Sequence, residues 1–275
     1  MTTTSKQCGF TLVELLIVIA IIALLVSILL PSLSKARQLA RKAICSTNIR
    51  GLAVANSIYA EENDSHYVLA AEDMWGDNLK RWHGERDDLN EVFDPREGPM
   101  RPQLGSNGIK QCPSFTDALE AAGQSAAFEA GCGGYGYNAS YVGARTDRYG
   151  AAAEAFLHSA AASDVRVPAE TIMFTDAAYA EKAGDNRRKI AYSFCEPPFW
   201  QLQAGDTPSS SRPNPTVHFR HLGETNVAWA DGHVDSRPLQ FSFSYSTHSR
   251  LSTQQAAQQG LGWFGPEDNS LYDLE

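Results

Sequence analysis

The residues able to do chemistry fall into three groups. The first is one carboxylate, Glu14, set in an apolar run from Phe10 to Leu30 that reads FTLVELLIVIAIIALLVSILL. A carboxylate within a membrane span costs about 2.5–3.5 kcal/mol on insertion scales. It is stable there only when a cation meets it. Near the start of a span, snorkelling lowers that cost, so a tolerated interfacial acid is the plainer reading. The second group is imidazole and carboxylate: His218, His221, Asp231, His233 and Asp235, with Asp176 on a strand that can neighbour them. Such a set could hold zinc or another divalent ion. No HExxH or other metal spacing orders it, so no metal is assigned. Asp231-Gly232 also suits a two-residue hairpin turn, which gives Asp231 a structural role. The third group is five cysteines, Cys8, Cys45, Cys112, Cys132 and Cys195. None forms a CxxC pair. Without Cys8, four allow three disulfide pairings. Cys112–Cys132 is the most local of these, and Cys45–Cys112 would pin a helix to the rest of the fold. Buried free thiols are the alternative.

No enzyme motif organises these groups. There is no GxSxG, no GxGxxG and no telling pair of carboxylates. The stretch GCGGYGYNASYVG (Gly131–Gly143) lacks the Lys-Ser/Thr ending of a phosphate loop. No catalytic residue and no cofactor is expected, and the sequence does not support an enzyme. The acidic stretches Glu61–Ser65 and Pro266–Asp273 would be the places for calcium, but neither is an EF-hand loop.

The elements that must position these residues can be read from pattern and composition. The chain has 275 residues, 43% hydrophobic and 20% charged. That excludes a disordered or collagen-like chain. A net charge of −9 argues against nucleic acid as a partner. The run from Phe10 to Leu30 is long enough to span a bilayer, which needs about 20 residues. It is too long for a cleaved secretory signal, and Pro31 follows it in place of a small-residue cleavage site. A helical pattern continues to about Glu62. One stripe joins Leu33, Ala40, Ile44, Gly51, Ala55 and Ile58, with Lys35, Gln38, Lys42, Ser46 and Asn56 opposite and Ile49 and Ala53 as imperfect members of that polar side. The pattern therefore divides the chain into residues 1–9, a span at 10–30, an amphipathic continuation at 31–65 and a head at 66–275. In the head, Trp75 and Trp82 are expected to cap the core. Ile109–Ser114 reads as a short strand, and Ala118–Ala130 and Ala151–Ser163 as alanine-rich helices or insertions. Glu170–Asp176, Thr216–His221 and Asn226–Ala230 read as strands of an antiparallel sheet. An Asp231-Gly232 turn would set Trp229 opposite Val234 and place Val227, Trp229 and Val234 on the core face.

The first thirty residues resemble the start of type IV pilins and type II secretion pseudopilins. The resemblance rests on the short polar leader with Lys6, on Gly9, and on FTLVELLIVIAIIALL directly after it. It implies cleavage by a prepilin peptidase between Gly9 and Phe10 and N-methylation of Phe10. It implies that Glu14 meets the amino terminus of a neighbouring subunit during assembly. Pro31 matches a proline common in pilin helices. The implied fold is α+β, a long N-terminal helix packed on an antiparallel sheet. The implied partners are the peptidase, other pilin or pseudopilin subunits and membrane lipid. The implied location is the cytoplasmic membrane, single-pass, with the head in the periplasm. Lys35, Arg37, Arg41, Lys42 and Arg50 follow the span and conflict with the positive-inside rule under that topology. The motif is the more specific signal and sets the expectation.

A second resemblance covers more of the chain less specifically. His221, nine residues, then Asp231-Gly232 is similar to the C-terminal motif of a pilin-like family abundant in planctomycete-type bacteria. Cys112-Pro113-Ser114, Tyr135-Gly136-Tyr137-Asn138 and Thr175-Asp176 are similar as well. The expected function is a structural subunit of a pilus or secretion pseudopilus. The alternative is a membrane-tethered periplasmic binding module, for a polysaccharide for instance, that uses the anchor only for export.

Overall fold

The computed structural model describes residues 12–116, 129–183, 186–204, 212–243 and 251–275. Gly9, Phe10 and most of the helix expected over Ala118–Ala130 lie outside the described residues. The chain divides into two compact units, Met1–Ala40 and Arg41–Glu275.

In the first unit every described residue belongs to α1 (Leu12–Glu62), and each is exposed. Pro31 lies inside this helix, where it removes one backbone donor. The Ser27 and Ser32 hydroxyls donate back to the carbonyls of Leu24 and Leu29, at 2.7 and 2.8 Å. Among the described residues this is the one helix long and apolar enough to cross a membrane by length and composition.

In the second unit α1 runs on to Glu62 and buries Cys45, Ile49, Leu52, Ala53, Asn56 and Ala60. That stripe replaces the expected one. Ile44 and Ile58 are 50% and 43% exposed, Gly51 is exposed, and of the expected stripe within this unit only Ala55 is buried. The reason is physical. Apolar residues occupy more than one face of this segment, so period alone does not choose between faces. Small Cys45, Ala53 and Ala60 permit close approach, and Asn56 finds partners inside the core.

Among the described residues, ten strands follow α1 in chain order. They are β1 (Lys80–Arg81), β2 (Gly84–Glu85), β3 (Tyr135–Tyr137), β4 (Ile172–Asp176), β5 (Tyr179–Ala183), β6 (Asn186–Ile190), β7 (Val217–His218), β8 (Glu224–Trp229), β9 (Val234–Pro238) and β10 (Leu261–Gly262). A short helix, α2 (Thr253–Gln258), precedes β10, with Ser252 and Gln255 forming its capping box. The principal sheet is four-stranded and antiparallel, in the order β3-β4-β8-β9. β4 is buried along its whole length, as its IMFTD sequence requires. β1 pairs with β2, β5 with β6, and β7 with β10. The fold is thus α+β, a long apolar helix with an antiparallel β head.

Several local expectations change. Ile109–Ser114 is not a strand. The Cys112 amide donates to Gly133 O at 2.9 Å, and a helical turn starts at Pro113, a position suited to a residue without an N–H. Ala151–Ser163 forms no α-helix, only 3-10 turns at Ala153–Leu157 and, overlapping its end, Ala162–Asp164. Trp82 is fully buried, but Trp75 is 63% exposed. The hairpin register is one residue away from expectation. Ala228 lies opposite Val234 and Val227 opposite Asp235. Trp229 N donates to His233 O at 3.0 Å, which leaves a three-residue loop, Ala230-Asp231-Gly232. Gly232 supplies the left-handed residue at φ 86°, the arrangement of a turn followed by a bulge. Trp229 consequently shares a face with His233, on which it stacks at 5.6 Å. The true two-residue turn lies earlier. Leu222 and Gly223 have φ of 59° and 86° and join His221 to Glu224.

Candidate functional site

Two places in the chain carry chemistry. The first is the N-terminal segment. Gly9 and Phe10, the expected processing pair, are outside the described residues. Glu14 lies in the first turn of α1 and is exposed. A carboxylate there suits the positive end of the helix dipole.

The second place is a buried polar cluster in the head, built from four separate segments. α1 supplies Cys45. The start of the helical turn at Pro113 supplies Cys112. The end of β4 supplies Asp176. The residues after β7 supply Arg220 and His221. Cys45, Cys112 and Asp176 are fully buried and His221 is 2% exposed. Cys45 Sγ, Cys112 Sγ and a ring nitrogen of His221 all lie within 4.8 Å of one another. Cys112 Sγ is 3.8 Å from His221 Nε2. The same Nε2 is 3.3 Å from Asp176 Oδ2. Asp176 Oδ2 also accepts the Asn226 amide at 2.7 Å. Arg220 Nε is 3.7 Å from Asp176 Oδ1, and the guanidinium lies 4.4 Å over the Phe115 ring. Arg220 Nη2 donates to the carbonyls of Gly134 and Ala177.

The electrostatics follow from this packing. The Cys45 thiol beside it, then the Arg220 guanidinium and His221, hold the Cys112 thiol down at about 5. Cys45 moves in the opposite direction, because Cys112 and burial both disfavour its thiolate. Burial opposes protonation of His221, yet Asp176 and then Cys112 raise it to about 9. Nearby, burial and the Arg220 charge push His218 well below the ordinary histidine value. Asp176 Oδ1, Arg220 Nε and His221 Nδ1 are buried without a hydrogen-bond partner. Such atoms are uncommon and call for an explanation.

This arrangement is not a nucleophile machine. A thiol–imidazole–carboxylate relay needs its carboxylate on the ring nitrogen opposite the thiol. Here both Cys112 and Asp176 face Nε2. The burial of all three also denies a substrate access to the sulfur.

The expected imidazole–carboxylate set divides in two. His221 and Asp176 come together in the cluster. Asp231, His233 and Asp235 sit at the other end of β8. His233 N and Nδ1 meet Asp231 Oδ1 at 2.9 and 2.6 Å, and Asp235 Oδ1 accepts Trp229 Nε1 at 3.0 Å. Burial opposes ionisation of Asp231, yet the backbone N–H of His233 and the ring beside it together hold its carboxyl below the usual range. The four described cysteines are buried with free thiols. Burial raises Cys132 to about 12 and pushes Cys195 upward as well. The sequence offers Cys45 with Cys112 and His221 with Asp176 as separate pairs but does not join them, since the outer members are 176 positions apart. The resemblance around Cys112-Pro113-Ser114, Asp176 and His221 was a further signal. Lys42, part of the basic run after the span, is committed to an ion pair with Glu224 on β8.

Comparison with known proteins places the N-terminal segment. A family model for the prokaryotic N-terminal methylation motif matches residues 4–30. The type IV wide pilus major component PilA4 of Thermus thermophilus is 41% identical over 58 residues, which cover 21% of this chain and 44% of that protein. The chain therefore spans less than half the length of this curated relative. No solved structure matches it. The chain thus carries the N-terminal methylation motif at residues 4–30 and, over a fifth of its length, is similar to a type IV pilus component.

Proposed function

We propose that the chain is the precursor of a pilin or pseudopilin structural subunit. A prepilin peptidase cuts between Gly9 and Phe10 and the new Phe10 amine is methylated. The observation that carries this reading is the methylation-motif match over residues 4–30. The span at 10–30 then holds the subunit in the cytoplasmic membrane, with the head in the periplasm. The subunit leaves the bilayer through helix packing into a pilus or secretion pseudopilus. Glu14 pairs with the amino terminus of a neighbour, since a carboxylate among apolar helices needs a cation. Within the head unit, Ile44, Val54 and Ile58 on α1 stay exposed at 43–50%. That apolar face supports a helix that packs against other subunits. The subunit is structural and has no catalytic role.

The test is the intact mass and amino-terminal sequence of the protein from native membranes and from sheared surface material. The expected species begins at N-methyl-Phe10 and is present in the sheared fraction. Gly9→Ala blocks processing, whereas Glu14→Ala is processed and fails to assemble. A chain that still begins at Met1 or Thr2 overturns the reading.

A second reading has an observation behind it. A pocket of about 320 Å³ in the head is lined by Trp75, Phe156, Tyr192, Phe194, Trp200 and Glu196, among others. The Glu196 carboxylate accepts Tyr192 OH at 2.9 Å and Trp200 Nε1 at 3.0 Å. Aromatic faces beside a carboxylate suit a sugar, which favours a tethered polysaccharide-binding module. Such a module works without Glu14, so the Glu14→Ala variant separates the two readings.

A further inference from the structure

We propose that the buried cluster under α1 is a zinc site, with Cys45 Sγ, Cys112 Sγ and His221 Nε2 as ligands; Asp176, whose Oδ2 lies beside that nitrogen, is the carboxylate at hand for the fourth position. Nothing in the pilin reading requires this site, and it stands or falls separately from that reading. Zinc takes thiolate, imidazole and carboxylate ligands in tetrahedral geometry. Bonds of about 2.3 Å to sulfur and 2.0–2.1 Å to nitrogen place ligand atoms roughly 3.6–3.8 Å apart. The observed Cys112 Sγ to His221 Nε2 distance is 3.8 Å. Asp176 Oδ2 is 3.3 Å from the same nitrogen. The wider limit of 4.8 Å among the two sulfurs and the ring nitrogen leaves a contraction of about an ångström at most.

Three further observations favour an ion over a packed polar core. First, Cys45, Cys112 and His221 come from three distant segments and are at most 2% exposed, as in a closed structural site. Secondly, the cluster stays neutral with the ion in it. Two thiolates, one carboxylate, the Arg220 guanidinium and a divalent zinc sum to zero. Thirdly, Asp176 Oδ1 and Arg220 Nε are left without hydrogen bonds in a place where neither reaches water. A cation in the cluster adds positive charge beside the Asp176 carboxylate, which already faces His221 and Arg220. Binding releases to solvent whichever protons the two thiols and His221 still hold, so that both sulfurs bind as thiolates and the imidazole as the neutral ring. No electron is transferred. The site would fasten α1 of the head unit to β4 and to the segment after β7.

The test uses the full chain purified in detergent under reducing conditions and loaded with zinc alone, followed by removal of free metal. The expected result is one zinc per chain by elemental analysis. Cobalt loaded in its place gives thiolate-to-cobalt absorption in the near ultraviolet. Cys45→Ser, Cys112→Ser and His221→Ala each lower retained zinc at least tenfold, while Cys132→Ser and Cys195→Ser keep it. Circular dichroism and the urea midpoint of each variant separate lost ligands from lost fold. A variant that is folded yet keeps its zinc overturns the ligand assignment. Retention below a tenth of an ion by the folded wild-type chain overturns the site. So does a Cys45–Cys112 disulfide in protein taken directly from native membranes. Copper in place of zinc in that native material overturns the choice of ion.

Discussion

Asn56→Ala should be among the most damaging single changes on the head face of α1. Asn56 is fully buried. Its Oδ1 accepts the Val68 amide at 2.9 Å, and its Nδ2 donates to Tyr137 OH at 3.1 Å. Tyr137 OH in turn donates to the Val68 carbonyl at 3.0 Å. The three groups form a closed ring between α1, the segment after it and β3. Alanine leaves the Val68 amide without a partner inside the core. An orphaned buried donor costs about 1–3 kcal/mol. The small void adds to this, so the total is about 2–4 kcal/mol. With a urea slope of about 3 kcal/mol/M, the midpoint falls by about 1 M. The assay is urea unfolding of the full chain in detergent, followed by tryptophan fluorescence. Trp82 is the natural reporter, since its ring centroid lies 6.1 Å from that of Tyr137. Tyr137→Phe breaks the same ring from the other side. The double variant should therefore cost less than the sum of the singles, by about 0.5–3 kcal/mol. A midpoint shift below about 0.3 M, or additive singles, would refute the argument that this polar ring holds the helix.

Other expectations follow from single positions. Leu222→Asn should raise stability by about 0.5–1 kcal/mol, because leucine is held at φ 59° in a turn that asparagine adopts readily; a lower urea midpoint would contradict this. Gly136→Ala should lower stability by about 1–3 kcal/mol, since a Cβ there would come 2.6 Å from both Ala177 Cβ and the Phe194 carbonyl carbon; an unchanged midpoint would show that β3 can shift. Stability, measured with a chelator present, should fall as pH drops below about 6.5. Burial first, then Arg220, Lys189 and His221, keep His218 neutral in the fold, so only the unfolded chain takes up the proton. Each pH unit then costs about 1.4 kcal/mol until the folded ring also protonates. His218→Gln should flatten that slope, and an equally steep profile in the variant would remove His218 as the cause.

The parts of this fold legible in the sequence are those where one interaction dominates. The apolar run needed no context, because length and lack of charge alone make a helix of that kind. β4 was legible because its apolar and β-branched residues after Pro168 leave few alternatives for a buried strand, and β8 because Val227 to Trp229 lead into an Asp-Gly turn. The face of α1 was not legible. Ile44 and Ile58 are larger and more apolar than Cys45, Ala53 and Asn56, yet the smaller residues are buried. Hydrophobic area favours the first set, but area counts only where a partner surface exists to cover it. The head offers Tyr137 OH and Val68 N–H at the helix surface, groups that demand a polar side chain and not an isoleucine. Which turn is the tight one failed for a related reason. Asp231-Gly232 has the better local chemistry, but Leu222-Gly223 makes the two-residue turn at a residue that resists it. Joining β7 to β8 beside β4 sets His221 against Asp176, and that long-range constraint outweighs the local cost at Leu222. The buried cluster was the least legible of all. Cys45 read as a helix residue and Cys112 as the end of a strand, and no spacing joins positions brought together only by the packing of α1 on the sheet. If Asn56→Ala loosens that packing, it should also weaken the contact of Cys45 with Cys112. Thiol alkylation rates then offer a direct check: Cys45 and Cys112 should be labelled faster in Asn56→Ala than in the wild-type chain, and Cys195 should not. Equal acceleration at all three would mean that the variant opens the whole core, and that the helix is not separately pinned.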